Sequence, residues 1–272
     1  MQFLDFSMRQ AAGGRRSLSR PKGGSRVTVL HISSRNRIIR EIHMKTKEQD
    51  RALFATMKKE LYVAAVTDVM DVLGLVHQFL PPQIRPLREN MVLAGRAKTV
   101  QEADCCGSCI GSRENKKEPF GLMFEALDSL TENDVYICSG ASPSYACFGG
   151  LMATRAMYCK AAGIVINGYV RDTRELKDLD WPVFSFGSYA QDQGIRGRVI
   201  DYDCPIEFPN HVTVNPGDII FGDIDGVIAI PHQREDEIIE KALEKVRGEN
   251  HVRELLLAGV STQEAFRQTG IM

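Results

Sequence analysis

The chain has 272 residues, 43% hydrophobic and 25% charged, with 34 basic and 35 acidic side chains and a formal net charge of -1. That is the composition of a folded globular protein; it excludes an acidic disordered chain and a uniformly basic nucleic-acid binder, and no stretch approaches the roughly 18 apolar residues of a membrane span. Seven cysteines, an odd number without a framework spacing, argue for free thiols in a reducing compartment, so a cytoplasmic location is expected.

The near-zero charge is unevenly spread. Residues 1–43 hold nine basic residues but only two acidic ones, Asp5 and Glu41, so this segment is +7 and the remainder -8. It is rich in Gly and Ser (GGRRSLSRPKGGS) and reads as a basic, disordered leader ahead of one domain spanning 44–272. Three origins stay open. A transit segment would make the protein organellar, a basic arm would touch RNA or an acidic partner, and upstream sequence would place the working start at Met44.

Lys45 to Leu73 has helical spacing, with Thr67 read as an N-cap and Gly74 as the terminator. Pro81, Pro82 and Pro86 mark an extended connection, and Val92–Val100 alternates as a strand. Cys105 to Lys117 reads as a loop, Phe120 to Leu130 as a helix and Val135 to Cys138 as a buried strand. A helix over 149–162, small on one side, precedes the strand Gly163–Ile166. Glu175–Leu179 is then a short helix and Val183–Phe186 a strand. Short strands follow at 198–202, 211–214, 219–221 and 227–230, with a hairpin signal at Asp225-Gly226. A long amphipathic helix runs from Glu235, with Glu237 and Lys241 as an i,i+4 pair and Gly248 as an interruption. The expected class is α/β: a parallel middle, an antiparallel section and a helical C-terminus.

The most informative stretch is Gly149-Gly150-Leu151-Met152 followed by Asn167-Gly168-Tyr169-Val170-Arg171-Asp172. A glycine pair opening a helix leaves backbone N–H groups at a positive helix end, which suits an anion. An Arg-Asp pair after a buried strand puts a guanidinium and a carboxylate at a strand's carboxyl end, where α/β proteins bind ligands. The Arg can fork onto a substrate carboxylate and the Asp can hold a hard divalent ion. A structural ion pair beside glycines that serve only close packing explains the same residues.

The segments Gly149–Thr154 and Gly163–Asp172, with Pro182-Val-Phe184, Pro216–Val227 and Pro231 in the same order, resemble the RraA-like family. That family contains 4-hydroxy-4-methyl-2-oxoglutarate/oxaloacetate aldolases and the regulator of ribonuclease activity A; members were formerly called demethylmenaquinone methyltransferases. The resemblance covers roughly residues 50 to 270. It implies a swivelling α/β/α domain with a mixed sheet, assembled as a homotrimer or hexamer with sites between subunits. It implies a lyase (aldolase/decarboxylase) that uses Mg²⁺ or Mn²⁺ on a small 2-oxo acid through a pyruvate enolate, with neither nucleic acid nor membrane as partner. The alternative that the family offers is a non-catalytic protein-binding regulator of the ribonuclease-inhibitor type. By the same resemblance Arg171 is the substrate-binding arginine, Asp172 the metal ligand, and the amides of Gly149, Gly150, Leu151 and Met152 the carboxylate cradle. Glu249, with Glu244 and Glu254 as neighbouring choices, matches an acidic residue that an adjoining subunit brings near the metal.

One departure stands out: the aldolases commonly carry Asp or Glu where this chain has Gly150. Asp104 or Glu102 could substitute, or the substrate could differ. Elsewhere the residues favour plain readings. Lys98 reads as a strand lysine with a solvated head in preference to a Schiff-base lysine. The Cys106/Cys109 spacing lacks the second pair of a zinc site. Asp223 and Asp225 read as turn residues, and Gln191–Arg198 as a substrate mouth, an interface or a surface loop.

Overall fold

The computed structural model describes residues 45–105 and 120–271. The basic leader, the Cys106/Cys109 pair and the rest of the expected loop to Lys117 lie outside them.

Helix α1 (Lys47–Glu60) starts at Thr46, whose hydroxyl accepts the Gln49 N–H while the Gln49 side chain accepts the Thr46 N–H. This reciprocal cap satisfies two N–H groups that a helix start leaves unpaired and is worth about 1 kcal/mol. The helical stretch expected over 45–73, with a helix start at Thr67, is instead divided at Leu61 and Tyr62, after which α2 (Val63–Val72) begins. The break is fixed from a distance: Asp223 Oδ2 accepts the Val63 N–H at 2.8 Å. Thr67 caps nothing; it lies inside α2 and its hydroxyl donates to the Val63 carbonyl at 2.9 Å. Gly74 does follow the helix, at φ +76°, a left-handed conformation that glycine adopts without strain.

Among the described residues the strands are β1 (Arg85–Pro86), β2 (Leu93–Asp104), β3 (Asp134–Ser139), β4 (Ala146–Phe148), β5 (Gly163–Ile166), β6 (Tyr169–Val170), β7 (Val183–Ser185), β8 (Gly197–Tyr202), β9 (Ile206–Glu207), β10 (Thr213–Val214), β11 (Ile219–Asp223) and β12 (Gly226–Ile230). Helices α3 (Met123–Asp128), α4 (Gly150–Tyr158) and α5 (Thr173–Asp178) lie between them, and α6 (Glu235–Leu257) and α7 (Thr262–Thr269) close the chain. The main sheet runs β1-β7-β5-β3-β2-β11-β12, with β8 also paired to β2. Strands β2, β3, β5 and β7 are mutually parallel; β1, β8, β11 and β12 join antiparallel. The parallel middle and antiparallel section expected from the sequence are thus parts of one mixed sheet.

Period-two alternation sends neighbouring apolar residues into different cores. Tyr136 and Cys138 pack with Met123, Ala153 and Trp181, whereas Val135 and Ile137 pack with Leu80, Phe184 and Phe208. Ile219 and Phe221 meet Phe54, Met57, Ile238 and Ile239 from α1 and α6. Both faces are buried, so the strands read as continuous apolar runs.

A buried ionic knot ties α1, β2 and α6 together. Arg96 Nε donates to Asp50 Oδ2 at 3.0 Å and its Nη2 to Glu235 Oε1 at 3.0 Å, and Lys45 Nζ reaches Glu235 at 2.6 Å. Burial works against the charge on Arg96, but these carboxylates outweigh it and hold the guanidinium above its ordinary pKa; Glu235, likewise buried, is held below its own. Helix α6 runs unbroken through Gly248. A Cβ on Gly248 would lie 2.3 Å from Ile271 Cδ1, so this glycine seats the C-terminal residues against the helix. Glu237 pairs with Arg234, at 2.8 Å, and not with Lys241.

Candidate active site

Three short segments are stapled together beside the parallel strands. β4 and β6 pair in parallel, Arg171 N–H donates to the Phe148 carbonyl at 2.9 Å, and Ala146 N–H donates to Gln191 O at 2.8 Å. On the other side of β6, Val170 N–H donates to Gly187 O at 3.0 Å and Tyr189 N–H to Val170 O at 2.9 Å. These bonds bring the start of α4, the Arg171–Asp172 pair and the 187–193 segment to one place.

Gly149 is the extended N-cap of α4, and Gly150 is its first residue. A Cβ on Gly149 would fall 2.7 Å from Asp172 Oδ2 and 3.1 Å from Arg171 Cγ, so the bare backbone is what admits the pair. The Gly150 N–H is not left open for a ligand: it donates to Asp172 Oδ2 at 3.0 Å. The N–H groups of Leu151 and Met152 belong to the same first turn, which has no intrahelical acceptors. Asp172 sits at φ +55°, ψ +33°, as the N-cap of α5. A non-glycine residue there is uncommon, although Asp tolerates it better than most.

Arg171 is fixed by two carboxylates: its Nη1 lies 3.3 Å from Asp192 Oδ1 and its Nε 3.7 Å from Asp172 Oδ2. All three side chains are about 40% exposed, at 39%, 44% and 43%. The pairs therefore orient more than they stabilise. The guanidinium keeps further donors for a ligand. The polar 191–198 loop supplies Asp192 and Gln193 to the wall of a cavity of about 370 Å³ shared with Arg171, Asp172, Gly149 and Met152.

Glu175 is the residue that the sequence reading missed. A Cβ on Gly150 would lie 2.4 Å from Glu175 Oε2. The Glu175 carboxylate, about one helical turn beyond Asp172, occupies the space of the side chain that Gly150 lacks. The signal was in the spacing, since an acid three residues after the Arg-Asp pair returns to the same side of a short helix.

Asp104 and Glu102 do not fill that role. Asp104 accepts the Ser142 N–H and the Tyr145 hydroxyl, both at 2.9 Å, and these bonds outweigh its partial burial and lower its pKa. Glu102, 1% exposed, follows a register shift in β2, and burial, reinforced by Asp104, pushes its carboxyl up to about 8. With its amide nitrogen turned inward, Gln193 donates to Glu102 Oε1 at 3.0 Å and to the Cys147 carbonyl at 3.3 Å. Gln193 and Cys147 both line the cavity. Glu102 therefore stands behind the wall as a protonated support at neutral pH.

The remaining candidates fall outside the site. Glu249 of α6 accepts the Tyr62 hydroxyl and lies 3.0 Å from Lys245 Nζ. It lines neither cavity beside Arg171. Lys98 Nζ is paired with Asp203 at 2.6 Å and sits over the Tyr202 ring, with only 12% of its side chain exposed; it is a strand lysine, but its head is ion-paired and not solvated as expected. Asp223 binds backbone N–H groups, and the hairpin turn between β11 and β12 falls at Ile224-Asp225. Among the described residues, no group of three or more His, Cys, Asp or Glu is arranged to hold a metal, and no helix is long and apolar enough to cross a membrane.

Comparison with known proteins gives the family. A protein from Halalkalibacterium halodurans named "Putative 4-hydroxy-4-methyl-2-oxoglutarate aldolase" is 29% identical over 196 residues, 71% of this chain and 83% of its own length. Protein DlpA of Legionella pneumophila is 28% identical over 203 residues, 74% of this chain; the match spans about a third of DlpA, at 31%. The solved structure of Streptomyces coelicolor RraAS2, described as an unusual member of the RNase ES inhibitor RraA protein family, superposes with a TM-score of 0.64. It covers 75% of this chain and 96% of that one at 22% identity, a likeness of fold. The family described as RraA-like (Aldolase/RraA) matches residues 63–229, which include every residue of the stapled site. The chain belongs to the RraA-like family.

Proposed function

We propose that this site cleaves a carbon–carbon bond in a small 2-oxo acid, by aldol cleavage or decarboxylation, through a pyruvate enolate. The observation that carries the reading is the placement of Arg171, Asp172 and Glu175 around the open first turn of α4.

The donor set suits a hard divalent cation such as Mg²⁺ or Mn²⁺. Asp172 and Glu175 offer carboxylate oxygens flanking Gly150. Mg²⁺ is commonly held by one or two carboxylates while keeping several waters, so a cage of three protein ligands is not required. When bound, such an ion supplies Lewis-acid stabilisation of charge on the 2-oxo group.

The chain's own groups divide the remaining work. Arg171 can fork onto the substrate carboxylate and neutralise the charge that grows as the enolate forms. Asp192 holds the guanidinium in position at 3.3 Å. The Leu151 and Met152 N–H groups lie at the positive end of α4, where an anion is favoured. No lysine lines either cavity among the described residues, which speaks for this route over a Schiff base.

The family's trimer or hexamer would place an adjoining subunit beside this face, and Glu249 would then serve from across that boundary. The reading of the chain as a ribonuclease regulator rests on likeness of fold, and no side-chain arrangement among the described residues carries it.

Incubation with Mg²⁺ and oxaloacetate, then with several 4-hydroxy-2-oxo acids, tests the proposal. Pyruvate should appear, and a chelator should stop it. Pyruvate no faster than in a metal-only blank across the whole panel would overturn it.

A further inference from the structure

Two cavities meet at Arg171 and Asp172, and their chemistry differs. One, of about 460 Å³, adds the hydroxyl-bearing residues Thr173, Ser188 and Tyr189. The other, of about 370 Å³, is walled by Phe120, Met123, Phe124 and Leu127 on one side and by Leu151 and Met152 on the other. That volume lies within the roughly 300–1,000 Å³ range of small-molecule sites, in which apolar walls hold a ligand that a few polar groups orient.

Among the described residues, the charged ones on the apolar cavity's wall are Asp128, Arg155, Arg171, Asp172 and Asp192. Arg155 Nε donates to Asp128 Oδ1 at 2.7 Å, and Arg171 Nη1 lies 3.3 Å from Asp192 Oδ1. Each guanidinium already faces a carboxylate, and the carboxylates are in excess. If Arg171 takes the substrate's own carboxylate, a second one at the far end would lose hydration and would have to compete with Asp128 for Arg155. An alkyl or aryl group there would gain apolar burial.

We infer that the site selects a 2-oxo acid with a single carboxylate and an apolar far end, its head at Arg171 and Asp172 and its tail against Met123, Phe124, Leu127 and Met152. This rests on the reading of the site as a 2-oxo acid site. The corresponding reaction is R–CH(OH)–CH₂–CO–COO⁻ giving R–CHO and pyruvate. The C3–C4 bond breaks with its electron pair going to C3, the C4 hydroxyl gives up its proton as the aldehyde forms, and C3 takes a proton from solvent. The reaction needs no oxidant or reductant.

Calorimetric titration of the full chain with Mg²⁺ present compares two unreactive acids of matched shape. They are 5-methyl-2-oxohexanoate and 2-oxoglutarate, which differ by an isopropyl group in place of the distal carboxylate. The apolar acid should bind at least tenfold more tightly. Phe124 is 57% exposed, so Phe124→Arg spares the core while bringing a cation to the wall, and it should erase or invert the preference. Equal or tighter binding of 2-oxoglutarate by the native chain overturns the inference, as it would if a second copy covered the apolar wall. Pyruvate release from the matching 4-hydroxy-2-oxo acids is scored separately. The binding preference without pyruvate keeps this inference and removes the lyase reading; pyruvate with the opposite preference does the reverse. No binding of either acid overturns this inference, and the lyase reading then stands or falls on pyruvate release alone.

Discussion

The carboxylate of Glu175 stands where a side chain on residue 150 would stand, with a Cβ on Gly150 falling 2.4 Å from Glu175 Oε2. The two positions are alternatives for one carboxylate. Glu175→Ala should raise the Mg²⁺ concentration for half-maximal activity by roughly 10–100-fold, the usual effect of losing a group that supports a metal site. Gly150→Asp alone should crowd Glu175 and impair activity, whereas Gly150→Asp combined with Glu175→Ala should recover much of the loss. A metal titration of the three variants checks this; an unchanged Mg²⁺ dependence in Glu175→Ala would show that its carboxylate does not serve the ion.

Asp172 combines a left-handed backbone with a carboxylate that holds the Gly150 N–H. Asn tolerates the same backbone and can still accept that bond, so Asp172→Asn isolates the charge. Activity should fall about 10²-fold or more while the melting temperature stays within a few degrees. Asp172→Ala loses the bond as well and should be both inactive and less stable. Steady-state pyruvate assays paired with thermal melts separate the two effects.

Glu102 gives the fold a pH dependence of defined sign. Burial, then Asp104, raises its folded-state pKa to about 8 from an ordinary 4.5. A carboxyl with a raised folded pKa binds its proton more tightly in the native state, so its contribution is full below about pH 4.5 and is lost as pH rises through about 8. Native-chain stability should therefore decline across this window, and Glu102→Gln should flatten the decline while keeping a partner for Gln193. Urea melts at pH 5, 7 and 9 measure both slopes; parallel slopes would place the pH dependence elsewhere.

The Arg96 knot makes a separate prediction about stability. Asp50→Ala leaves a buried guanidinium short of one partner and should cost about 3–5 kcal/mol, whereas removing charge from Asp50, Arg96 and Glu235 together by apolar replacement, with Lys45 still paired to Asp236, should cost much less. Chemical denaturation of Asp50→Ala against a triple variant carrying Asp50→Leu, Arg96→Met and Glu235→Leu checks the contrast. Activity per folded molecule should be preserved in both, since none of these residues lines the cavities beside Arg171.

What the sequence made legible was local. Gly163–Ile166 is a strand at the expected bounds, and the Asp225-Gly226 signal finds the β11–β12 hairpin to within one residue, its turn falling at Ile224-Asp225, because alternation and turn chemistry act over a few residues. Arg171, Asp172, Gly149 and Met152 come together as the motif order suggested. What was hidden depended on distant partners. No Gly or Pro announces the break at Leu61 and Tyr62, because its cause is the Asp223 carboxylate, 160 residues away. Gly248 looks like a helix breaker until Ile271 is seen against it. The Gly150 N–H looked free for a ligand, and only the fold shows Asp172 already holding it.

The chain has a single tryptophan, Trp181, and its ring stacks on Phe148 with centroids 6.3 Å apart. Its indole N–H is held by the Ala161 carbonyl at 2.8 Å, and Phe148 borders the cavity beside Gly149. The protein therefore carries one indole, excitable apart from its seven tyrosines and mounted one ring away from the ligand space. Its emission should report the filling of that space, which lets occupancy be followed optically in the unlabelled native chain, including in variants that no longer turn over.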